Sequence, residues 1–213
     1  MKYIDLDKHL LVQSVESHKM RIVKYPDPLL NRVAEPVTTF DEKLDKFVAD
    51  MFTKMYESSG VGLAAPQVGV SRRIFVVNIN PSEPDEEKRK ETELAFINPV
   101  LSDLEGDQRE EEGCLSIPGI RHEVNRSMKL KVVAQNVKGE EFTLEADEYL
   151  AEVIQHEFDH IEGILFIQRL SAGEQIAIQN QLKYLRSQYQ KEKQKRKKDK
   201  LKAVKAQKKK FKH

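Results

Sequence analysis

The sequence predicts an α+β fold, in which mixed or antiparallel β-sheets pack around a central helix and a C-terminal helical extension follows. Three observations support this class. Short β-branched and aromatic runs indicate strands, apolar residues at helical spacing indicate two amphipathic helices, and residues 172–213 have a helix-forming composition. A chain of 213 residues can hold one domain of ordinary size plus a tail.

The chain divides into three parts. Residues 1–19 are weakly patterned and form an N-terminal extension, with Met20 as an alternative natural start. Residues 20–170 form the main domain. Residues 171–213 form a C-terminal helix and a lysine-rich tail.

Residues 39–59 are predicted to form the first helix. Its first four residues, 39–42 (TFDE), match a capping box. Seven apolar or aromatic residues then repeat at i, i+3 and i+4 spacing: Leu44, Phe47, Val48, Met51, Phe52, Met55 and Tyr56. We interpret this stripe as part of the core.

Residues 60–69 (GVGLAAPQVG) predict a shaped loop, because three glycines and a proline allow the backbone to approach a ligand closely. The loop lacks the G-K-[ST] ending of a phosphate-binding loop. Its one strongly polar side chain is Gln67. From these residues alone, a tight connection and a functional loop are both open interpretations.

Five strands are predicted, at residues 21–25, 73–79, 94–101, 128–135 and 141–145. Pro26 and Pro28 would close the first strand, and Pro99 interrupts the third. The last two strands are expected to form a hairpin about residues 138–139. The charged segment 81–92 is predicted to be an exposed loop.

The motif that organises the chain is QHEFDH at residues 155–160. In a helix, His156 and His160 stand one turn apart on the same face, with Glu157 beside them. This is the H-E-x-x-H arrangement, which supplies two metal ligands and a glutamate able to move protons on water at the metal. The chain has only six histidines, so we favour a metal site over a chance match and predict that the central helix binds metal.

The helix around this motif is predicted to have one packed face, with Asp147 as a candidate N-cap and Gly163 as a candidate C-cap. Four residues form its apolar stripe: Leu150, Ile154, Phe158 and Ile161. Four others are expected on an opposite, wettable side: Ala151, Glu152, Gln155 and Asp159.

The third metal ligand must come from outside this helix. In the long zinc-peptidase pattern the last histidine would fall at Phe166, and a phenyl ring cannot bind a metal. The single cysteine, Cys114, lies in a glycine- and proline-containing segment. A lone cysteine is usually an inert core residue, but a thiolate is a good ligand for borderline and soft divalent metals.

Charge is unevenly distributed along the chain. Residues 191–213 contain thirteen Lys or Arg and two acidic residues, a net charge of +11, and the other 190 residues carry a net charge of −10. No run of 18 apolar residues and no signal-peptide pattern occurs, and one cysteine excludes an internal disulfide. We therefore expect a cytoplasmic protein without a membrane partner. The lysine-rich end is expected to be frayed or disordered when alone.

Three separated segments resemble the three motifs of the peptide deformylase family, in the family's order. They are 60–67 (GVGLAAPQ), 112–116 (EGCLS) and 155–160 (QHEFDH). The resemblance covers about residues 20–170, which would then be the catalytic domain. One departure is Gln168, where an aspartate is common in the family.

The resemblance implies a catalytic centre. Cys114, His156 and His160 would hold the metal, and water would take the fourth place. Glu157 would accept a proton from that water as it attacks the formyl carbon of formylmethionine, and would then protonate the leaving amine, releasing formate.

The resemblance also implies how substrate is bound. The Gln67 side-chain amide and the Leu115 backbone N–H would stabilise the oxyanion. Peptide binding would involve the loop and the helix, with an apolar methionine pocket at Val61 and Val153. The expected substrate-binding residues are Gly60, Val61, Gly62, Gly113 and Val153.

Glu112 would support a metal ligand from behind, paired with either Arg121 or Arg126. The family characteristically uses Fe²⁺, one ion per chain. The same ligands accept Zn²⁺, Ni²⁺ or Co²⁺, and ligand identity alone does not choose the metal.

The implied partners are N-formylmethionyl nascent peptides of a bacterial cytoplasm, and we expect a monomer or weak dimer. The basic residues 190–213 either solubilise the protein or bind ribosomal RNA electrostatically.

Two other functions are compatible with parts of the sequence. A zinc endopeptidase shares H-E-x-x-H but would not need Cys114. A non-catalytic nucleic-acid-associated protein would use the basic tail and would not need Glu157 as a base.

Overall fold

The computed structural model describes the backbone of residues 20–210 and the side chains of residues 20–199 and 202. The predicted α+β class is confirmed, because antiparallel sheets and helices are both present. The strands are β1 (Gly62–Ala64), β2 (Ile74–Val77), β3 (Leu94–Glu105), β4 (Gln108–Cys114), β5 (Ile117–Arg126), β6 (Lys129–Gln135) and β7 (Glu141–Asp147). The helices are α1 (Glu42–Glu57), α2 (Glu86–Glu91), α3 (Glu148–Ile161), α4 (Ala172–Ala177) and α5 (Gln179–Lys210), with short 3-10 turns at Pro28–Asn31, Ala65–Val68 and Phe166–Gln168.

The strands form two antiparallel sheets. One has five strands in the order β1-β2-β3-β6-β7, and the other is the β4-β5 hairpin. The predicted hairpin of β6 and β7 is present, with Gly139 in a left-handed turn. β3 continues through Pro99 with a shift of register, where the Asn98 side chain bonds both backbone groups of Val37.

Two helices pack against the five-stranded sheet. The predicted apolar stripe of α1 is buried with β1 and β2, from Leu44 to Met55. Ile154 and Ile161 of α3 are buried with Phe75 and Phe96 of the sheet. Burial of these side chains provides the main stabilisation that holds α3 in the middle of the domain.

Helix boundaries differ slightly from the prediction. α1 begins at Glu42, because the Asp41 side chain accepts hydrogen bonds from the Lys43 and Leu44 N–H groups; the capping box predicted at Thr39 is not used. Asp147 precedes α3 as predicted but makes no side-chain cap bond.

Two secondary-structure predictions are wrong, and one hairpin was missed. Residues 21–25 are not a strand. The Val23 N–H donates to the Gln67 carbonyl and the Tyr25 N–H donates to the Ser116 carbonyl, so the segment bonds two different loops and not one neighbouring strand. The segment 81–92 contains α2, which the Asp85 side chain caps. The hairpin of β4 and β5 was not predicted at all, since its charged residues do not form an apolar strand pattern.

The C-terminal segment lies partly against the domain. Ile178, Leu182 and Leu185 pack on a cluster that includes Leu30 and Ile117. Ile176, by contrast, is 71% exposed and is not part of that packed face. The helix continues to Lys210, and the expected fraying of the lysine-rich end stays a prediction. The N-terminal extension 1–19 lies outside the described residues.

Within residues 20–210, no helix is long and apolar enough to cross a lipid bilayer.

Candidate metal centre and active site

Cys114 and the two motif histidines lie together. Their ligand atoms all fall within 4.8 Å of one another, and Cys114 Sγ lies 3.2 Å from His160 Nε2. His156 and His160 are buried on α3, and Cys114 stands at the end of β4. Among the described residues this is the one group of three or more His, Cys, Asp or Glu side chains that could hold a metal.

The β4-β5 hairpin positions the cysteine. Gly113 pairs with Arg121, and the register then shifts so that Cys114 pairs with Ile117, which leaves Leu115 and Ser116 in a tight turn. The Ser116 N–H points at Cys114 Sγ from 3.4 Å. Phe166 stacks on His156, with ring centroids 6.2 Å apart, so it packs beside the site instead of binding a metal.

Glu112 supports His156 from behind. Its carboxylate lies 2.7 Å from His156 Nδ1, which directs the other ring nitrogen of His156 toward the cysteine side. Of the two arginines considered, Arg126 is the partner, with bonds of 2.6 and 3.0 Å to Glu112. Arg121 instead pairs with Glu111 at 2.5 Å.

A buried charge network extends from this pair. Arg126 also donates to Asp159 at 2.6 Å, and Asp159 accepts from Arg169 on the other side. Burial opposes ionisation of Glu112, but its bonds to His156 and Arg126 outweigh this and lower its pKa to about 2. The paired charges fix the orientation of His156.

This network corrects the prediction that one side of α3 is wettable. Ala151, Glu152, Gln155 and Asp159 are all buried. Gln155 bonds the N–H and C=O of Ser127, and Asp159 meets the arginines. Polar residues predict exposure only when no other element supplies partners, and here Arg126 of β5, the following Ser127 and Arg169 supply partners for Gln155 and Asp159.

Glu157 lies within the site and is 3% exposed. Burial raises its pKa to about 7, against the opposing effect of the two histidines. Its Oε2 atom has no hydrogen-bond partner among the described residues. Gly62 lies directly against it, since a Cβ there would be 2.5 Å from Glu157 Oε1.

Gln67 and Leu115 approach the cysteine from two loops. The Gln67 side-chain oxygen accepts from the Ala64 N–H at 2.7 Å, which turns the Gln67 amide nitrogen toward Cys114 Sγ at 3.5 Å. The Leu115 carbonyl accepts from Lys24 at 2.5 Å. In the part of the chain that the structure describes, no acceptor is bonded to the Leu115 N–H.

The donor set fits a divalent metal. Burial would raise the pKa of the Cys114 thiol, but the charge of His160 and hydrogen bonds from both histidines hold it well below its ordinary value. The site thus favours a thiolate beside a positive charge. A divalent metal ion would supply that charge while both imidazoles stay neutral. Three protein ligands would leave a fourth coordination position open, as in catalytic sites.

A cavity of about 490 Å³ opens onto these residues. It is lined by Gln67, Cys114, Leu115, His156 and Glu157. All five residues expected to bind substrate also line it: Gly60, Val61, Gly62, Gly113 and Val153.

Sequence reasoning missed other residues of this site. Tyr149 and Glu152 line the cavity, seven and four residues before His156. The helical period would have placed both on the histidine side of α3, had polar character not been taken to mean exposure. Asp159 and Arg169 join the network behind Glu112, which no sequence spacing indicates.

Comparisons with known proteins agree with this site. The family model described as polypeptide deformylase matches residues 19–176. A peptide deformylase of Acidobacterium capsulatum is 51% identical over 151 residues, covering 71% of this chain and 86% of the relative. One from Neisseria gonorrhoeae is 49% identical over 164 residues, covering 77% of this chain and 94% of the relative.

Solved structures agree as well. A peptide deformylase from Plasmodium falciparum superposes with a TM-score of 0.75 at 38% identity, covering 80% of this chain and 97% of that one. Peptide deformylase 1B of Arabidopsis thaliana gives 0.76 at 35% identity, with coverages of 81% and 93%. The chain belongs to the polypeptide deformylase family, and it is a metal-binding hydrolase that acts on the N-termini of new polypeptides.

Proposed function

We propose that this enzyme removes the formyl group from N-terminal formylmethionine and releases formate, using residues 20–170 as its catalytic domain. The observation that carries the proposal is the convergence of Cys114, His156 and His160 beside the buried Oε2 atom of Glu157, which has no hydrogen-bond partner within the described part of the chain. A divalent metal held by these three residues would polarise a water and lower its pKa.

Glu157 would act as general base and then as general acid. Its pKa of about 7 matches the pH at which it must both accept and return a proton. It takes a proton from the attacking water and later delivers one to the leaving amine of the peptide. The unpartnered Oε2 atom is available for this transfer.

The Gln67 amide and the Leu115 N–H would stabilise the oxyanion. The bond from Ala64 holds the Gln67 amide with its N–H₂ group toward the reacting position, so no reorientation is needed during reaction. The Leu115 N–H is kept in place by the turn between β4 and β5.

The formylated peptide would lie in the 490 Å³ cavity. Its methionine side chain would occupy the apolar part at Val61 and Val153, which belong to one apolar cluster. Backbone groups of Gly60, Gly62 and Gly113 would contact the peptide chain.

We propose Fe²⁺ as the metal, one ion per chain, with Zn²⁺, Ni²⁺ or Co²⁺ as functional substitutes. A ferrous ion bound by a thiolate should make the activity oxygen-sensitive. Activity of the iron form should fall on aerobic storage, and the Ni²⁺ form should keep its activity. An iron form that is stable in air would contradict this assignment.

The decisive test measures formate release from a formyl-Met dipeptide by anaerobically purified, metal-loaded protein, beside Cys114→Ala. We expect formate from the wild type and neither bound metal nor formate from the variant. Ser102→Ala, a half-buried change remote from the site, serves as a folding control. A folded, metal-loaded wild type without activity would refute the proposal.

We further propose that the basic end of α5 docks the cytoplasmic enzyme, a monomer or weak dimer, on ribosomal RNA. Tyr189 and Arg186 anchor α5 to Asp27 and Tyr25, with bonds of 2.8 Å, so the lysines beyond residue 190 project from a fixed base. Deleting residues 190–213 should weaken salt-dependent ribosome binding and spare formyl-peptide hydrolysis. Unchanged ribosome binding by the truncated protein would argue for a purely solubilising tail.

A further inference from the structure

A short backbone segment connects the two loops that carry the proposed oxyanion donors, Gln67 and Leu115. The Val23 N–H donates to the Gln67 carbonyl at 2.7 Å, and the Tyr25 N–H donates to the Ser116 carbonyl at 2.9 Å. Ser116 lies in the turn between β4 and β5, next to Leu115. The segment thus holds one loop against the other, and both of these hydrogen bonds come from its backbone.

Lys24 lies between the two backbone contacts and adds a third bond through its side chain. Its half-buried ammonium group donates to the Leu115 carbonyl at 2.5 Å. A charged donor makes a hydrogen bond roughly twice as strong as a neutral one. Of these three bonds, only the bond from Lys24 can be removed by substituting a side chain.

The Leu115 carbonyl belongs to a peptide group that also faces the candidate metal ligand Cys114. The N–H of the same group, on Ser116, points at Cys114 Sγ from 3.4 Å. In a trans peptide group the C=O and the N–H point in opposite directions, so the Lys24 ammonium and the sulfur lie on opposite sides of it. A carbonyl held by Lys24 therefore keeps the N–H on the sulfur, and rotation of the group would turn the carbonyl toward the sulfur.

The same restraint acts on the Leu115 N–H. The turn contains only Leu115 and Ser116, and its ends are fixed because Cys114 pairs with Ile117. A peptide group in so short a turn cannot rotate without shifting its neighbour, since the backbone has only two soft dihedrals per residue. Holding the Leu115 carbonyl thus also fixes the direction of the Leu115 N–H. Lys24 does not line the cavity, so it acts on the reaction through this turn and not by contact with substrate.

We propose that Lys24 is a positioning residue, which holds the turn between β4 and β5 in the conformation that directs the Leu115 N–H at the oxyanion. This inference rests on the proposed deformylase activity, in which that N–H is an oxyanion donor. A turn with a free Leu115 carbonyl would sample other orientations, so the donor would have to be reoriented during the reaction. Binding of the ground-state peptide would change little, because the oxyanion develops only in the transition state.

Kinetics of Lys24→Met and Lys24→Arg in the metal-loaded, full-length enzyme test this role at equal metal content. Outright loss of an oxyanion donor lowers kcat by about 10²–10³, and a loosened donor should cause part of that loss. We expect Lys24→Met to lower kcat for formate release from formyl-Met-Ala-Ala by about 10–100-fold, with KM within about twofold of the wild type. Lys24→Arg keeps a cationic donor and should recover most of the loss. Lys46→Met removes the lysine of an ion pair with Asp50 on α1 and should match the wild type.

A second measurement follows the turn without any reaction. Ser116 is buried, and the hydrogen exchange of its amide can be measured by NMR in the zinc-loaded protein. The amide should exchange about tenfold faster or more in Lys24→Met, because local opening of the turn becomes easier. In Lys24→Arg and Lys46→Met it should exchange near the wild-type rate.

Unchanged kcat in Lys24→Met, a loss confined to KM, or an equal loss in Lys24→Arg would overturn the inference. A fall in kcat with unchanged exchange at Ser116 would overturn it too. All of these outcomes leave the deformylase activity of the wild type established. No formate from the metal-loaded wild type would instead refute the deformylase activity itself, and the exchange rates would still report whether Lys24 holds the turn.

Discussion

The two sides of α3 are both buried and both carry polar side chains, but they differ in whether these side chains have hydrogen-bond partners. On the side facing β5, Gln155 is bonded to Ser127, and Asp159 is linked to Glu112 through Arg126. On the side facing the cavity, Glu157 Oε2 has none among the described residues, and Glu152 lines the cavity beside it.

This difference distinguishes the residues that hold the site in place from those that are available to a ligand. A fully paired network is rigid, and it can hold His156 in one orientation. An unpaired group lowers stability but remains available to a ligand, since nothing in the protein competes for it. Substitutions on the two sides should therefore affect different measurements.

The largest effect is expected from Glu157→Gln on the cavity side. Loss of the general base should lower kcat by about 10²–10⁴. The melting temperature should not fall, because the change replaces a buried carboxylate whose Oε2 atom has no hydrogen-bond partner among the residues that the structure describes. Formate release and thermal unfolding are measured at equal metal content, with Glu148→Gln as the control. Retained activity would contradict the assigned role.

Arg126→Met tests the network side. The substitution leaves Glu112 and Asp159 buried without a cation, so the free energy of unfolding should fall by about 3–5 kcal/mol. Urea denaturation measures the loss. Arg121→Met is the matched control, since its partner Glu111 is exposed and the pair is worth about 1 kcal/mol or less. Equal losses of unfolding free energy for the two variants would show that the buried ion pairs of Arg126 stabilise the fold no more than the exposed pair of Arg121.

The same network predicts a dependence on pH. The folded-state pKa of Glu112, about 2, lies below its ordinary value, so its contribution to stability is present at neutral pH. That contribution is lost as pH falls from about 4.5 through 2. The stability difference between wild type and Arg126→Met should therefore shrink on acidification.

Gln67→Glu tests the oxyanion donor. Glutamate keeps an acceptor for the Ala64 N–H but lacks the amide donor, so kcat should fall by about 10²–10³ with little change in KM. Steady-state kinetics are compared with metal content measured in parallel. A change confined to KM would assign Gln67 to ground-state binding.

The smallest effect is expected from Glu152→Gln on stability. Because the pKa of Glu152 is raised to about 7, its ionisation destabilises the folded state as pH rises from about 4.5 to 7. The stability of the variant should therefore rise relative to that of the wild type over this range, by about 1 kcal/mol, since solvent in the cavity screens the charge. Thermal unfolding at pH 4.5 and 8 measures the gain. The stability difference between Glu148→Gln and the wild type should be the same at both pH values.

Strongly periodic elements could be predicted from the sequence. The stripes of α1 and α3 and the hairpin of β6 and β7 agree with the structure, because their apolar spacing reflects burial directly. β4 and β5 were missed since each is rich in charge, and α2 was missed since its six residues bury none of their side chains.

Only part of the site could be predicted from the sequence. The H-E-x-x-H spacing and the missing third ligand pointed to Cys114, because both depend on local geometry and chemistry. The choice between Arg121 and Arg126 depends on which residues β5 turns toward α3, which is a tertiary property. Glu152 was assigned to the wrong side for a different reason: its polar character was taken to mean exposure, although the helical period places it on the histidine side of α3.

The contact between Gly62 and Glu157 has a consequence for inhibitor resistance. Any side chain at residue 62 would bring its Cβ within 2.9 Å of three Glu157 atoms and would push that carboxylate aside. A drug that gains affinity from the Gly62 backbone would thus bind where an escape mutation also damages catalysis. Selection under such a drug should yield mutants at other cavity positions, or in genes outside this one.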